Sequence, residues 1–80
     1  MPGKRAKRLP GDLATAKVLR AFYRLGFVLD HEGRRHTVLR DPSKEKRVAV
    51  IPRHSRVKQD LLRAILRGAD LSEEDFLSAY

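Results

Sequence analysis

Apolar residues recur at two spacings along this 80-residue chain, and each change of spacing marks an element. Val18, Leu19, Ala21, Phe22 and Leu25 share one face of a 3.6-residue period, which predicts a helix over 12–25. Asp12 is placed to accept from a first-turn amide, and Gly26 suits the left-handed residue that closes a helix. The period then falls to two. Phe27 and Leu29 alternate with Val28 and Asp30 in a first strand over 27–31, followed by the turn Glu32-Gly33-Arg34. Runs over 36–40 and 47–51, rich in β-branched and apolar residues, predict strands two and three, and Asp41-Pro42-Ser43-Lys44-Glu45-Lys46 has turn composition. After Pro52, the residues Val57, Leu61, Leu62, Ile65 and Leu66 return to helical spacing in a second helix that ends at Gly68. Ser72 caps a short third helix, with Asp75 three residues later as in a capping box.

The order helix, three strands, helix predicts a small α+β domain: a three-stranded antiparallel sheet with its helices packed on one face. Eighty residues allow one small core, and there is no internal repeat. The domain is expected over 12–80, behind a flexible basic tail over 1–11 that includes Lys4-Arg5-Ala6-Lys7-Arg8. With no cysteine, the fold must rest on packing alone.

Side chains alternate along a strand, so the buried set decides which residues share a face. With Phe27, Leu29, Leu39, Val48 and Val50 turned toward the helices, His36, Val38 and Arg40 face outward, as do Asp30, Ile51 and Arg53. A three-residue turn at 32–34 then sets Phe27 opposite Leu39 and Asp30 directly opposite His36, where its carboxylate would orient the imidazole. The start of strand two lies beside the end of strand three, so His54 is expected near His36, with Arg34, Arg35 and Arg53 around the same patch. His31 has core parity and reads as structural. The helix carrying Lys58, Arg63 and Arg67 reads as a solvated face around a buried stripe.

Charge narrows the chemistry. Eighteen Lys and Arg against 10 Asp and Glu give a net charge of +8, which points to a polyanion, nucleic acid ahead of a membrane surface. No stretch approaches the roughly 18 apolar residues of a membrane span, and residues 1–12 lack the apolar segment of a secretory signal, so a cytoplasmic protein is expected. A basic surface bearing imidazoles suits RNA transesterification. One group takes the proton of the 2′-hydroxyl, another protonates the leaving 5′-oxygen, and arginines stabilise charge on the phosphorane. The substrate supplies its own nucleophile, so this chemistry requires neither metal nor cofactor.

Leu25-Gly26-Phe27, His36 with the strand that runs to Pro42, Val50 to His54, Leu62 to Arg67 and Asp70 to Phe76 stand in an order and spacing that, from about residue 19 to 77, resembles the HicA family of messenger-RNA interferase toxins, also called YcfA-like. Leu25-Gly26-Phe27 matches that family's apolar-Gly-Phe step, and His36 is followed by an aliphatic strand and Pro42. Val50-Ile51-Pro52-Arg53-His54 resembles its Val-Pro-x-His segment. Leu62-Arg63-Ala64-Ile65-Leu66-Arg67 and Asp70-Leu71-Ser72-Glu73-Glu74-Asp75-Phe76 are similar to its Arg-x-Ile-Leu and Leu-Ser-x-Glu-Glu-Phe ending. The resemblance implies a double-stranded-RNA-binding-domain-like fold, a toxin that cleaves translated RNA, a catalytic histidine at His36, and a HicB-type antitoxin that covers the active face. Before the histidine the family typically has Gly followed by Ser or Gly, whereas this chain has Arg34-Arg35, which either clamp phosphate or obstruct the RNA backbone. Arg56-Val57-Lys58-Gln59-Asp60 also departs from the family's Leu-x-x-Gly-Thr type of entry to helix two.

The sequence therefore reads as a metal-independent endoribonuclease of a toxin-antitoxin system, with His36 central and His54 and Asp30 in support. Arg34, Arg35, Arg40 and Arg53 are expected to bind RNA. The alternative is a non-catalytic RNA-binding module of the same fold.

Overall fold

The computed structural model describes residues 8–80. In chain order its elements are β1 (Asp12–Ala14), α1 (Thr15–Arg24), β2 (Val28–Glu32), β3 (His36–Asp41), β4 (Lys44–Pro52), β5 (Arg56–Lys58), α2 (Gln59–Gly68) and α3 (Glu73–Ala79). Strands β2, β3 and β4 form an antiparallel sheet in that order, and β1 pairs with β5 in a separate ribbon. The expected α-β-β-β-α core is present. The ribbon is an addition, since two three-residue strands are too short to leave a period in the sequence.

That ribbon changes how α1 begins. Asp12 is not its cap: it lies in β1 opposite Lys58, and its carboxylate meets Arg56 Nε at 3.2 Å. The helix starts three residues later, after Ala14, which offers no side-chain cap, and the Thr15 amide donates instead to the Ser55 carbonyl at 2.9 Å. The other end follows expectation. Gly26 has φ +99°, its amide donates to the Tyr23 carbonyl at 3.0 Å, and the Phe27 amide reaches the Phe22 carbonyl at 3.1 Å. These two bonds make a Schellman ending, and the apolar contact that accompanies one is supplied by Phe22 and Phe27, edge to face at 5.0 Å.

Phe22 is fully buried and also lies 5.7 Å from Phe76 of α3, so one ring joins α1, the start of β2 and α3. From α2, Leu62, Ile65 and Leu66 enter the same core. Ser72 caps α3 as expected, its hydroxyl accepting from the Asp75 amide at 3.0 Å. At the other end of the described chain, Leu9 is 3% exposed, and Gln59 fastens residues 9–11 by donating its side-chain amide to the Leu9 carbonyl (2.8 Å) and its backbone amide to Gly11 (3.0 Å). Residues 9–11, expected with the tail, are thus tied to α2, while residues 1–7 of that tail lie outside the described residues.

The sheet is covered on one face. Along β3, Thr37, Leu39 and Asp41 are buried, His36 and Arg40 are exposed and Val38 is half-buried, which is the alternation expected. Strand β4 has the opposite parity to the expected one: Ala49 and Ile51 are fully buried, and Val50 is 47% exposed. Four successive apolar residues, Val48 to Ile51, carry no parity of their own, so the register with β3 decides it. That register sets Leu39 opposite Ala49 and Thr37 opposite Ile51: the hairpin closes on Pro42-Ser43 with Asp41 opposite Lys44, and an irregularity between Arg40 and Asp41 then passes over residues 45–47, so that Arg40 meets Val48 where the expected six-residue turn would have set it opposite Arg47. Leu29, and not Phe27 as expected, opposes Leu39, and it is 48% exposed because β2 is the edge strand farthest from α2, which packs on β4.

Asp41 holds the short turn. Its carboxylate accepts from the Ser43 hydroxyl at 2.7 Å and the Ser43 amide at 2.9 Å, and Arg47 reaches it at 3.5 Å. The two bonds from Ser43 hold the carboxyl below its ordinary value of 3.8, with Arg47 adding to the effect and burial opposing it. A depressed folded value contributes stability that is complete above the unfolded value and is lost as pH falls through the folded one. Acidification from about pH 5 to below 3 should therefore lower the melting temperature of the wild type more steeply than that of Asp41→Asn, which should melt lower at neutral pH. Parallel slopes would remove Asp41 from the acid transition.

The register has a sharper consequence. Ile51→Ala should cost about 2–5 kcal/mol in chemical denaturation, as should Leu39→Ala, whereas Val50→Ala should change stability by less than about 0.5 kcal/mol. The reverse order for Ile51 and Val50 would mean that the strand faces the other way.

Candidate active site

His36 is the first residue of β3 and pairs with Pro52, near the end of β4, on the face of the sheet that the helices leave open. Because the strands are antiparallel, the loop 33–35 that enters β3 lies beside residues 53–54 that leave β4. The Gly33 amide closes the loop on the His36 carbonyl at 2.8 Å, and the Arg53 amide ties the two segments together by donating to the Arg35 carbonyl at 2.9 Å. The Arg53 guanidinium adds a third bond, to the Gly33 carbonyl at 2.9 Å. Arg53, expected from the sequence to bind RNA, braces the loop that presents Arg34, Arg35 and His36.

A shallow depression of about 410 Å³ is lined by Arg34, Arg35, His36, Pro52, Arg53 and His54. It unites five of the residues singled out in the sequence. Its floor is the buried Pro52, and its walls carry three guanidinium groups and two imidazoles with no carboxylate. Among the described residues, no acidic side chain pairs with Arg34, Arg35 or Arg53. Cations left without protein counter-ions are open to an anion from outside.

Asp30 and Arg40 are not part of that depression. The pairing of β2 with β3 shifts between Leu29 and His31, so Leu29 faces Leu39 but His31 faces Val38. Asp30 occupies this bulge and does not oppose His36. Its carboxylate instead meets Arg40 Nε at 3.3 Å and His31 Nδ1 at 2.6 Å. Arg40 is therefore paired by an acid, unlike the arginines around His36. His31, expected in the core, has a side chain 64% exposed, because the inserted residue reverses the parity of everything after it in β2. Alternation alone gave no signal of the bulge.

Among the described residues, no group of three or more His, Asp or Glu side chains is placed to hold a metal ion. No described helix is long and apolar enough to cross a membrane.

A three-stranded sheet with helices on one face, and a cationic, histidine-bearing depression at one end of the other, defines a small α+β domain that presents arginines and imidazoles on an open sheet face. Residues 15–71 match the family described as the HicA toxin of bacterial toxin-antitoxin systems, and the chain belongs to that family. It is thus a toxin of a toxin-antitoxin pair, with an antitoxin as its partner. A comparison with curated proteins finds no match.

The brace at Arg53 can be tested apart from any activity. Arg53→Ala should speed hydrogen exchange at the Gly33 amide while leaving the Leu39 and Ala49 amides of the sheet centre protected, as read by NMR. Unchanged exchange at Gly33 would mean that the guanidinium contributes nothing to the loop.

Proposed function

We infer that this toxin is a metal-independent endoribonuclease in which His36 is the central acid-base residue. The observation that carries the reading is the placement of an exposed imidazole at the mouth of β3, beside arginines that, among the described residues, no carboxylate neutralises. An RNA strand is a polyanion that brings its own nucleophile, the 2′-hydroxyl. His36 exchanges the protons, and Arg34 and Arg35 stabilise charge on the phosphorane oxygens. His54 lines the same depression and contacts the RNA beside His36. Arg34-Arg35 thus act as a phosphate clamp, which suits their freedom from ion pairs. The same face suits an acidic surface of a HicB-type antitoxin, which would exclude RNA by occupying those cations in a cytoplasmic complex.

Purified protein incubated in EDTA with a long single-stranded RNA should cleave it, and His36→Ala should abolish cleavage with little change in fold or RNA affinity, because an exposed side chain contributes little to packing. Cleavage that persists in His36→Ala would remove this residue from the mechanism. Salt-dependent binding without cleavage by either protein would favour the non-catalytic module, for which the Arg34-Arg35 departure is the supporting observation.

A further inference from the structure

We propose that His31 is a second proton-transfer group on the same sheet face as His36, oriented by Asp30; this rests on the ribonuclease reading above. Three observations converge on it. The bulge at Asp30 turns His31 from the helix-covered face to the open one, where it stands opposite Val38. Bulges often re-aim a side chain beside an active site. His36 lies two residues before Val38 on β3, so the two histidines are diagonal cross-strand neighbours. Such positions are about 7–8 Å apart, within reach of a shared ligand for side chains of this size.

The third observation is how the ring is held. An ionised carboxylate can only accept, so the 2.6 Å contact to Asp30 Oδ2 places a proton on Nδ1 of His31 and leaves Nε2 as the working nitrogen. Asp30 is steadied in turn by Arg40 at 3.3 Å. Among the described residues, His31 is the histidine whose ring has a side-chain hydrogen bond; His36 and His54 have none. An imidazole held by a carboxylate, with its far nitrogen outward, is the arrangement that a general acid or base requires. The charged and titratable neighbours are Asp30 and Glu32 on its own strand, Arg40 and His36 on β3, and Glu45 of β4, which lines one depression with Asp30, Val38 and Arg40; β4 also presents Val48 and Val50 to this region.

The reaction balances with these two groups alone. One imidazole accepts the 2′-hydroxyl proton as the O2′–P bond forms, and the other, protonated, delivers its proton to O5′ as the P–O5′ bond breaks. The products are a 2′,3′-cyclic phosphate and a 5′-hydroxyl. A phosphate between His36 and His31 would lie over Val38, next to the exposed Val50, at the edge of the arginine-lined depression to which His36 belongs.

The test is the pH profile of kcat/KM for a labelled single-stranded RNA in EDTA. Wild type should give a bell, and both His31→Ala and His31→Gln should lose one limb and fall by about 10²–10⁴-fold at the optimum. Affinity for a non-cleavable 2′-O-methyl RNA, read by fluorescence anisotropy, should stay within about twofold. Asp30→Asn should keep the bell at reduced kcat, as expected of a positioning residue. If His31→Ala keeps both limbs and a rate within about threefold of wild type, while His36→Ala abolishes cleavage, His31 is out and the ribonuclease reading stands. A loss confined to RNA affinity would make His31 a binding contact and overturn the proposal. Absence of cleavage by wild type would overturn both readings together.

Discussion

The alternation along β3 is the constraint on which the rest of the molecule depends. Thr37, Leu39 and Asp41 point into the helices, so His36, Val38 and Arg40 must point away from them. β3 is the central strand, and its register with each neighbour fixes what those neighbours present. Pairing with β4 buries Ile51 and brings Pro52 beside His36. Pairing with β2 sets His31 opposite Val38. Because one face is committed to the core, a slip of one residue in either ladder would exchange core for surface, and the candidate site would lose its histidines along with the fold its Leu39.

A domain this small, without cysteine, has little core to spare, and its packing is concentrated. Phe22 links Phe27 to Phe76, so the helix ending at Gly26, the first strand of the sheet and the last helix share a single aromatic contact set. The β1–β5 ribbon and the two bonds from Gln59 then tie residues 9–14 across the start of α2. These ties extend the core at the end of the chain where the sheet does not reach. They also fix Ser55, whose carbonyl receives the first amide of α1, and thereby the exit from β4 that carries Arg53 and His54.

Much of this was legible in the chain because several signals agreed at the same residues. Gly26 combined the end of an apolar stripe with the need for positive φ, and Ser72 combined a cap with a following apolar residue, Phe76. β3 alternates cleanly, so the outward face of His36 and its proximity to His54 could be read from parity and chain direction. What could not be read is whatever depends on a one-residue count. The irregularity in β4 that passes over residues 45–47 and the bulge at Asp30 have no compositional mark, so β4 and the end of β2 were assigned to the wrong faces. An Asp that looks able to cap a helix can equally pair with an arginine, and only the partner strand at 56–58 decides that Asp12 does the latter.

The openness of the site bears on what it can act upon. A small molecule gains affinity by burial in a concave pocket, whereas the depression beside His36 is shallow and walled by flexible arginines. For a ribonuclease, binding must then come from several phosphates along a strand, each contributing a salt-sensitive increment, with the scissile one selected by where the imidazoles stand. Fixed groups matter most under those conditions, because a mobile substrate on an open face is positioned by the protein or by nothing. The two bonds that hold residues 33–36 against Arg53, the Gly33–His36 bond within that loop and the Asp30 contact that holds His31 supply such fixed points at two places on one face. The physical cost of this design is that, among the described residues, Arg34, Arg35 and Arg53 have no acidic partner, a charge that an antitoxin bearing acidic groups could neutralise over the same area that RNA would use.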